Sequence, residues 1–429
     1  MGRVALTGFS IFFRTAYSWP RQEYGEEEDQ EELSIRRVSS RPQTGDHRDV
    51  PRRIHILGTG NIGNFVAHAL NRIPNRPPTT LLLHKLSLLE AWEAQGRTIE
   101  LITDGLSDKR REFDVEFALP ERTIRPLSPK AQAATEGSNE GGIIYNLILS
   151  VKAPNTVSAL TAVKDRLTRQ STILFLQNGM GMIEEVNEKL FPDVETRPNY
   201  MLGIITHGVH SQKPFSAVHA GMGTTALGLL PRYPLRPASE DGEKVSEKWA
   251  PSSRYLLRTL TRTPVLAAVG FSTTDLMQLQ LEKLAINAII NPLTVMLDAK
   301  NGDILSNFAM TRVMRLLLSE ISLVIRSLPE LQGVPNVRIR FAPQRLETIA
   351  VAVMSKTSNN LSSMLQDVRA GKQTEIEYIN GYIVRRGEEM GIKCVMNYML
   401  LQLVKGKQQM VNRRFDDYVP IINDTAKRG

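Results

Sequence analysis

A lysine and two asparagines recur at four-residue spacing through an apolar run, Gln280-Leu-Glu-Lys283-Leu-Ala-Ile-Asn287-Ala-Ile-Ile-Asn291-Pro292-Leu293. Four residues is about one turn of an α-helix, so Lys283, Asn287 and Asn291 share a face. Burying an unpaired amide or ammonium costs roughly 2 to 7 kcal/mol, so a helix that sets three such groups beside Leu, Ile and Ala needs polar partners on that face. A bound ligand is the natural partner.

A second group has the spacing for phosphate chemistry. Gly58-Thr59-Gly60-Asn61-Ile62-Gly63 follows a short strand, Arg53-Ile-His-Ile-Leu57, and opens a helical pattern carried by Phe65, Val66, Ala69 and Leu70. Glycines there let the backbone approach a pyrophosphate, whose charge then sits at a helix N-terminus. The alternative is a plain strand-to-helix turn; strand, helix and position together favour dinucleotide binding. An NAD site would carry an acid at the end of the second strand to hold the ribose 2′-hydroxyl. That stretch reads Leu83-His84-Lys85, without a carboxylate, and His84 with Lys85 suits a 2′-phosphate. NADP is the expected cofactor.

The third group spans Asn359-Asn360-Leu-Ser-Ser363-Met-Leu-Gln-Asp367 to Thr374-Glu375-Ile-Glu-Tyr-Ile-Asn380-Gly381. Thr374 is placed to cap the helix that follows, which puts Glu375 in its first turn with the favourable dipole sign. Spacing leaves Glu375 open between a stabiliser of the helix start and a functional carboxylate. It leaves Ser363 open between a cap or turn hydroxyl and a ligand contact. His207 and His219, near strand-loop junctions in Thr206-His207-Gly208 and Val218-His219-Ala-Gly221, read as structural.

The elements that must position these residues change character along the chain. Strand patterns at 53–57, Thr79 to Leu83, Ile143 to Val151, 171–176 and Val265 to Val269, interleaved with helical ones, imply an α/β fold with a doubly wound parallel sheet over 52–270. From about 272 the period becomes helical, with long segments near 274–297, 307–328, 342–354 and 373–391, so 272–425 reads as an all-helical domain. Glu136-Gly-Ser-Asn-Glu-Gly-Gly142 and the 231–250 stretch read as surface insertions.

Composition bounds the rest. A chain of 429 residues exceeds one core. The net charge of +8 is scattered, which favours an anionic cofactor or substrate over nucleic acid. Cys394 is the single cysteine, excluding an intrachain disulfide and a Cys-based metal cluster, and no metal is expected. No apolar stretch is long enough to span a membrane. Residues 1–50, with the acidic run Glu26 to Glu32, read as a tail. Within it, residues 1–22 carry Arg3, Arg14 and Arg21, no acid, and the apolar group Phe9, Ile11, Phe12 and Phe13, the composition of a mitochondrial transit peptide. Gly8 and Pro20 weaken the helix that such a signal needs, and a disordered cytoplasmic extension is the alternative.

Gly58-Thr-Gly60-Asn-Ile-Gly63, Asn178-Gly-Met-Gly181, Lys283…Asn287…Asn291-Pro-Leu-Thr294, Asn301-Gly302 and Ser362-Ser-Met-Leu-Gln-Asp367 through Thr374-Glu375-Ile376 together resemble the 2-dehydropantoate 2-reductase (ketopantoate reductase) family, over about 53 to 405. The resemblance implies an N-terminal Rossmann domain, a helical C-terminal domain of the 6-phosphogluconate dehydrogenase type and a cleft between them. It implies NADPH-dependent reduction of ketopantoate to (R)-pantoate on the route to pantothenate and coenzyme A, by a monomer or homodimer. By the same resemblance Lys283 protonates the developing alkoxide and Glu375 hydrogen-bonds and orients the substrate. Asn287 and Asn291 bind substrate, Ser363 meets its carboxylate, and Asn301 and Asn360 lie near the site. Asn178 stands beside the nicotinamide and Lys152 at the cofactor side. His84-Lys85 replaces the arginine usual in the family, and the tail and insertions resemble those of fungal members. Reduction of another branched 2-keto acid, or a non-catalytic binding protein, are the competing readings.

Overall fold

The computed structural model describes residues 50–118, 142–232 and 249–416. The expectations for the tail and import signal, and nearly all of the two insertions, lie outside the described residues. The described residues from Arg52 onward form one compact unit.

Strands β1 (Ile54–Leu57), β2 (Thr79–Leu83), β3 (Ile99–Thr103), β4 (Leu106–Arg110), β5 (Asp114–Phe117), β6 (Asn146–Leu149), β7 (Thr172–Phe175), β8 (Asn199–Ile205), β9 (Gly208–Lys213), β10 (Ser216–Gly221), β11 (Thr225–Leu229) and β12 (Ala268–Gly270) alternate with helices α1 (Asn61–Asn71), α2 (Leu86–Ala94), α3 (Thr156–Thr161), α4 (Met182–Lys189) and α5 (Pro251–Thr261). Eight of the strands make one sheet, ordered β12-β11-β8-β7-β6-β1-β2-β5 and parallel except where β11 pairs with β8. Strands β1, β2, β6 and β7 are buried throughout, between apolar clusters on both sheet faces, which is why they read as almost unbroken apolar runs. The connections run outward in opposite directions from β1 and β6, leaving a crevice at their carboxyl ends where ligands of such sheets bind.

A second, four-stranded sheet, β4-β3-β10-β9, not expected from the strand patterns, carries α1 on one side. Its β3–β4 hairpin turns through Asp104 and Gly105 with φ of 51° and 80°, the geometry that the Asp-Gly dipeptide favours. The final strand also begins later than expected, because Pro264–Leu266 form a short 3₁₀ turn and Ala267 takes φ 42° before β12.

The second half is helical: α6 (Thr273–Leu297), α7 (Phe308–Ser327), α8 (Val337–Arg340), α9 (Pro343–Lys356), α10 (Ser363–Arg369), α11 (Ile376–Glu389) and α12 (Val395–Asp416). Helix α6 is apolar on most sides and touches α7, α9, α10, α11 and α12, so it is the axis of this half. Pro292 does not loosen it, since the helix runs on to Leu297. A proline at 292 removes the N–H that would have bonded the Ala288 carbonyl, and the buried Asn380 Nδ2 donates to that oxygen instead, at 2.9 Å. Thr374 likewise does not cap α11: its hydroxyl and N–H both donate to Gln408 Oε1 of α12, and Glu375 itself stands at the cap position.

Candidate active site

Two of the three glycines in the β1–α1 turn are required by close packing. Gly58 has φ of +109°, and a Cβ there would lie 2.6 Å from the Val151 nitrogen. A Cβ on Gly63 would run into the Gly58 carbonyl and lie 2.7 Å from Ser150 Oγ, which donates to that same carbonyl. Gly60 meets nothing within 4 Å. It stands at the start of α1, where no side chain caps the helix and no carboxylate occupies the first turn. The unsatisfied amides and the positive end of the dipole are therefore left for a phosphate, and the turn fits a dinucleotide. Thr59 offers its carbonyl to Asn64 Nδ2, Asn61 Nδ2 reaches the Val209 carbonyl at 3.4 Å, and Ile62 packs against the sheet core. His84 and Lys85 are exposed just past β2, and Lys85 makes no ion pair among the described residues. Partial burial and the neighbouring Lys85 lower the His84 pKa.

At the mouth of the crevice, five charged or amide side chains from distant parts of the chain join. Lys283 Nζ on α6 donates to Asn178 Oδ1 and to the Ile205 carbonyl, each at 2.9 Å. Asn178, in the loop after β7, donates through Nδ2 to Glu375 Oε2 at 3.3 Å. The buried Glu375 also accepts the Ala153 N–H at 3.2 Å and lies 3.8 Å from Lys152 Nζ. Lys152, just past β6, donates to Asp367 Oδ2 of α10 at 2.7 Å. The Asn178 loop is fastened from behind: Gly179, at φ +87°, sits where a Cβ would strike the Tyr378 carbonyl at 2.6 Å, and the Met180 N–H donates to that oxygen.

These contacts set the charges. Burial lowers the Lys283 pKa to about 8, against the pull of the Glu375 carboxylate. Burial acts downward on Lys152 too, but Glu375 and Asp367 outweigh it and its pKa is raised. Burial raises the Asp367 pKa, with Lys152 opposing.

The other expected site residues lie around this knot without hydrogen-bonding to it. Asn287 is half-buried and, with Gln177, Gln280, Leu284 and Met182, lines a small pocket beside Lys283. Asn291 is buried one turn on, and α6 is tied there to α10 by the Thr294 and Ser362 hydroxyls, 2.7 Å apart. Asn301 is buried, donates through Nδ2 to Thr357 Oγ1, and gives its N–H to the Asn360 carbonyl. Its Oδ1 is buried without a partner. Asn360 and Ser363 are exposed, and Ser362, not Ser363, caps α10 by accepting the Leu365 N–H. Asp367 escaped the sequence reading as a site residue; its signal was a carboxylate one turn beyond Ser363 in a short polar helix. His207 and His219 face each other at 3.0 Å, with His207 also bonding the Leu266 carbonyl and the Gly223 N–H, and both rings rest on Phe65. Among the described residues no group of acids, histidines and cysteine is placed to hold a metal ion, and no helix is long and apolar enough to cross a membrane.

Two family models match the chain: "Ketopantoate reductase PanE/ApbA" over residues 54–232 and "Ketopantoate reductase PanE/ApbA C terminal" over 275–408. A relative named ketoisovalerate reductase BEA2, from Gibberella fujikuroi, is 31% identical over 375 residues, 78% of each chain. One named probable 2-dehydropantoate 2-reductase, from Schizosaccharomyces pombe, is 28% identical over 359 residues, covering 82% of this chain and 96% of its own. Among solved structures, the ternary complex of D-mandelate dehydrogenase with NADH and anilino(oxo)acetate superposes with a TM-score of 0.63 at 19% identity, over 84% of this chain and 99% of that one. That likeness speaks to the fold.

Proposed function

Because the chain belongs to the ketopantoate reductase family, we propose that it is an NADPH-dependent reductase of branched 2-keto acids, acting on ketopantoate to give (R)-pantoate for pantothenate and coenzyme A synthesis. The observation that carries this reading is the hydrogen-bond count at Lys283. An ammonium has three donors, and two are spent on Asn178 Oδ1 and the Ile205 carbonyl. The third is left for a ligand oxygen.

Held on the glycine turn by the α1 amides, NADPH would supply hydride for the ketone carbon. The carbonyl oxygen gains the electron pair, and Lys283 gives it a proton, so the ketone leaves as a secondary alcohol and the lysine as a neutral amine. A pKa near 8 suits this step: the lysine is charged at neutral pH, yet far more acidic than the alcohol that forms when it protonates the alkoxide. Asn178 fixes the ammonium by one end and Glu375 by the other, while Asn287 and Asn291 lie along the same helix to receive substrate. The exposed Lys85, with no carboxylate beside it on that strand end, supports a 2′-phosphate and hence NADPH over NADH.

The test is NADPH oxidation by the purified protein with ketopantoate and with ketoisovalerate in parallel. Ketopantoate should give the higher kcat/KM. The relative named ketoisovalerate reductase favours a second reading, in which the substrate lacks the terminal hydroxyl. A site built to hydrogen-bond that hydroxyl would reject ketoisovalerate strongly, because its polar groups would be left unpaired. A preference for ketoisovalerate, or none, would replace the first reading by the second.

A further inference from the structure

The Lys152–Asp367 pair links the sheet half to the helical half, and none of the roles assigned so far uses Asp367. Its carboxylate is buried and takes a short bond from Lys152, while the same ammonium stands 3.8 Å from Glu375, outside hydrogen-bond range. Among the described residues Glu375 is the charged group that acts on Lys283, and it favours the protonated lysine. We propose that Asp367 is a positioning residue: by holding Lys152 at 3.8 Å from Glu375, short of a close ion pair, it leaves part of the Glu375 charge to keep Lys283 protonated and ready to donate. This rests on the reductase reading for its consequence in turnover, although the charge coupling itself needs no turnover.

The surroundings support an isolated circuit. Besides Lys152, the Glu375 carboxylate acts on Asp367 and raises its pKa, and Lys372, in the turn after α10, lowers it. On α6, Glu282 is turned into Arg340 and Arg345. On α11, Glu377 pairs with Lys405 and faces Arg385, and on α4 Glu185 pairs with Lys189 and accepts the Tyr378 hydroxyl. Removing the Asp367 charge would therefore act on Lys283 through Glu375: the released Lys152 closes on that carboxylate and neutralises it, which makes the Lys283 ammonium more acidic.

The experiment reads Lys283 directly, by the pH dependence of its acylation in competitive labelling with acetic anhydride and mass spectrometry on the full chain, alongside the basic limb of kcat/KM. In Asp367→Asn both midpoints should fall by about half a pH unit or more, and in Lys152→Gln, where Glu375 is unopposed, both should rise. Asp367→Glu keeps the charge and should retain the parent midpoint whatever its turnover. A labelling midpoint that stays put in Asp367→Asn, moves the same way in Asp367→Asn and Lys152→Gln, or falls in Asp367→Glu overturns the proposal. Should the protein reduce no 2-keto acid while the labelling midpoints move as stated, the reductase reading fails and the role of Asp367 in charging Lys283 stands.

Discussion

The glycine turn and the lysine knot solve opposite problems. The turn at 58–63 is local: one strand, one helix start and two glycines that no side chain can replace, with its binding power in bare backbone amides. The knot is assembled from Lys152 and Asn178 just past β6 and β7, Lys283 within α6, Asp367 within α10 and Glu375 at the cap of α11, which meet only because α6, α10 and α11 pack against the carboxyl ends of β6, β7 and β8. The difference teaches where each half is vulnerable. A local turn fails by steric insertion and loses cofactor. A distributed knot fails by loss of a single charge and loses chemistry while the cofactor still binds.

The sharpest way to separate the two is Lys283→Ala, which should lower kcat by roughly 100-fold or more with NADPH binding retained, measured by steady-state kinetics and cofactor fluorescence. Near-normal turnover would remove the lysine from the acid role. Next, Gly63→Ala should destabilise the fold by about 1 to 3 kcal/mol in denaturant titration and raise KM for NADPH, because the Gly58 carbonyl cannot yield without distorting β1. Gly60→Ala, into open space, should cost less than about 1 kcal/mol, and equal losses at the two positions would erase the distinction between packing and ligand-facing glycines. Lys85→Glu should weaken NADPH about tenfold relative to NADH; equal losses would remove the 2′-phosphate contact. The smallest effect is in pH. Lys283 is charged below its lowered pKa of about 8 and donates only in that form, so kcat/KM should hold from pH 6 to 7 and fall to about half by pH 8. A limb near the ordinary lysine value would mean that burial does not tune this group.

Much of this was legible before folding. The central strands announced themselves because burial on both faces demands continuous apolar runs, and α6 because its polar stripe stood out against them. The small β4-β3-β10-β9 sheet was legible in principle from Asp104-Gly105, but its strands are short, mixed in polarity and half exposed, so the period carried little signal. Thr374 misled because a hydroxyl near a helix start has the same local pattern whether or not it caps, and the outcome turned on Gln408; of the alternatives open for Ser363, the cap is taken by Ser362.

By itself the sequence determined what is local: the glycine turn, the absence of an acid after β2, and the shared face of Lys283, Asn287 and Asn291, all consequences of backbone period and residue type. Only the tertiary structure decided which charges meet. That Asn178 turns its oxygen to Lys283 and its nitrogen to Glu375, that Asn380 answers the carbonyl freed by Pro292, and that Asp367 rather than Glu375 takes the short bond from Lys152 depend on groups more than 80 residues apart. Hydrogen bonds and buried charges act over a few ångströms of space and are blind to distance along the chain.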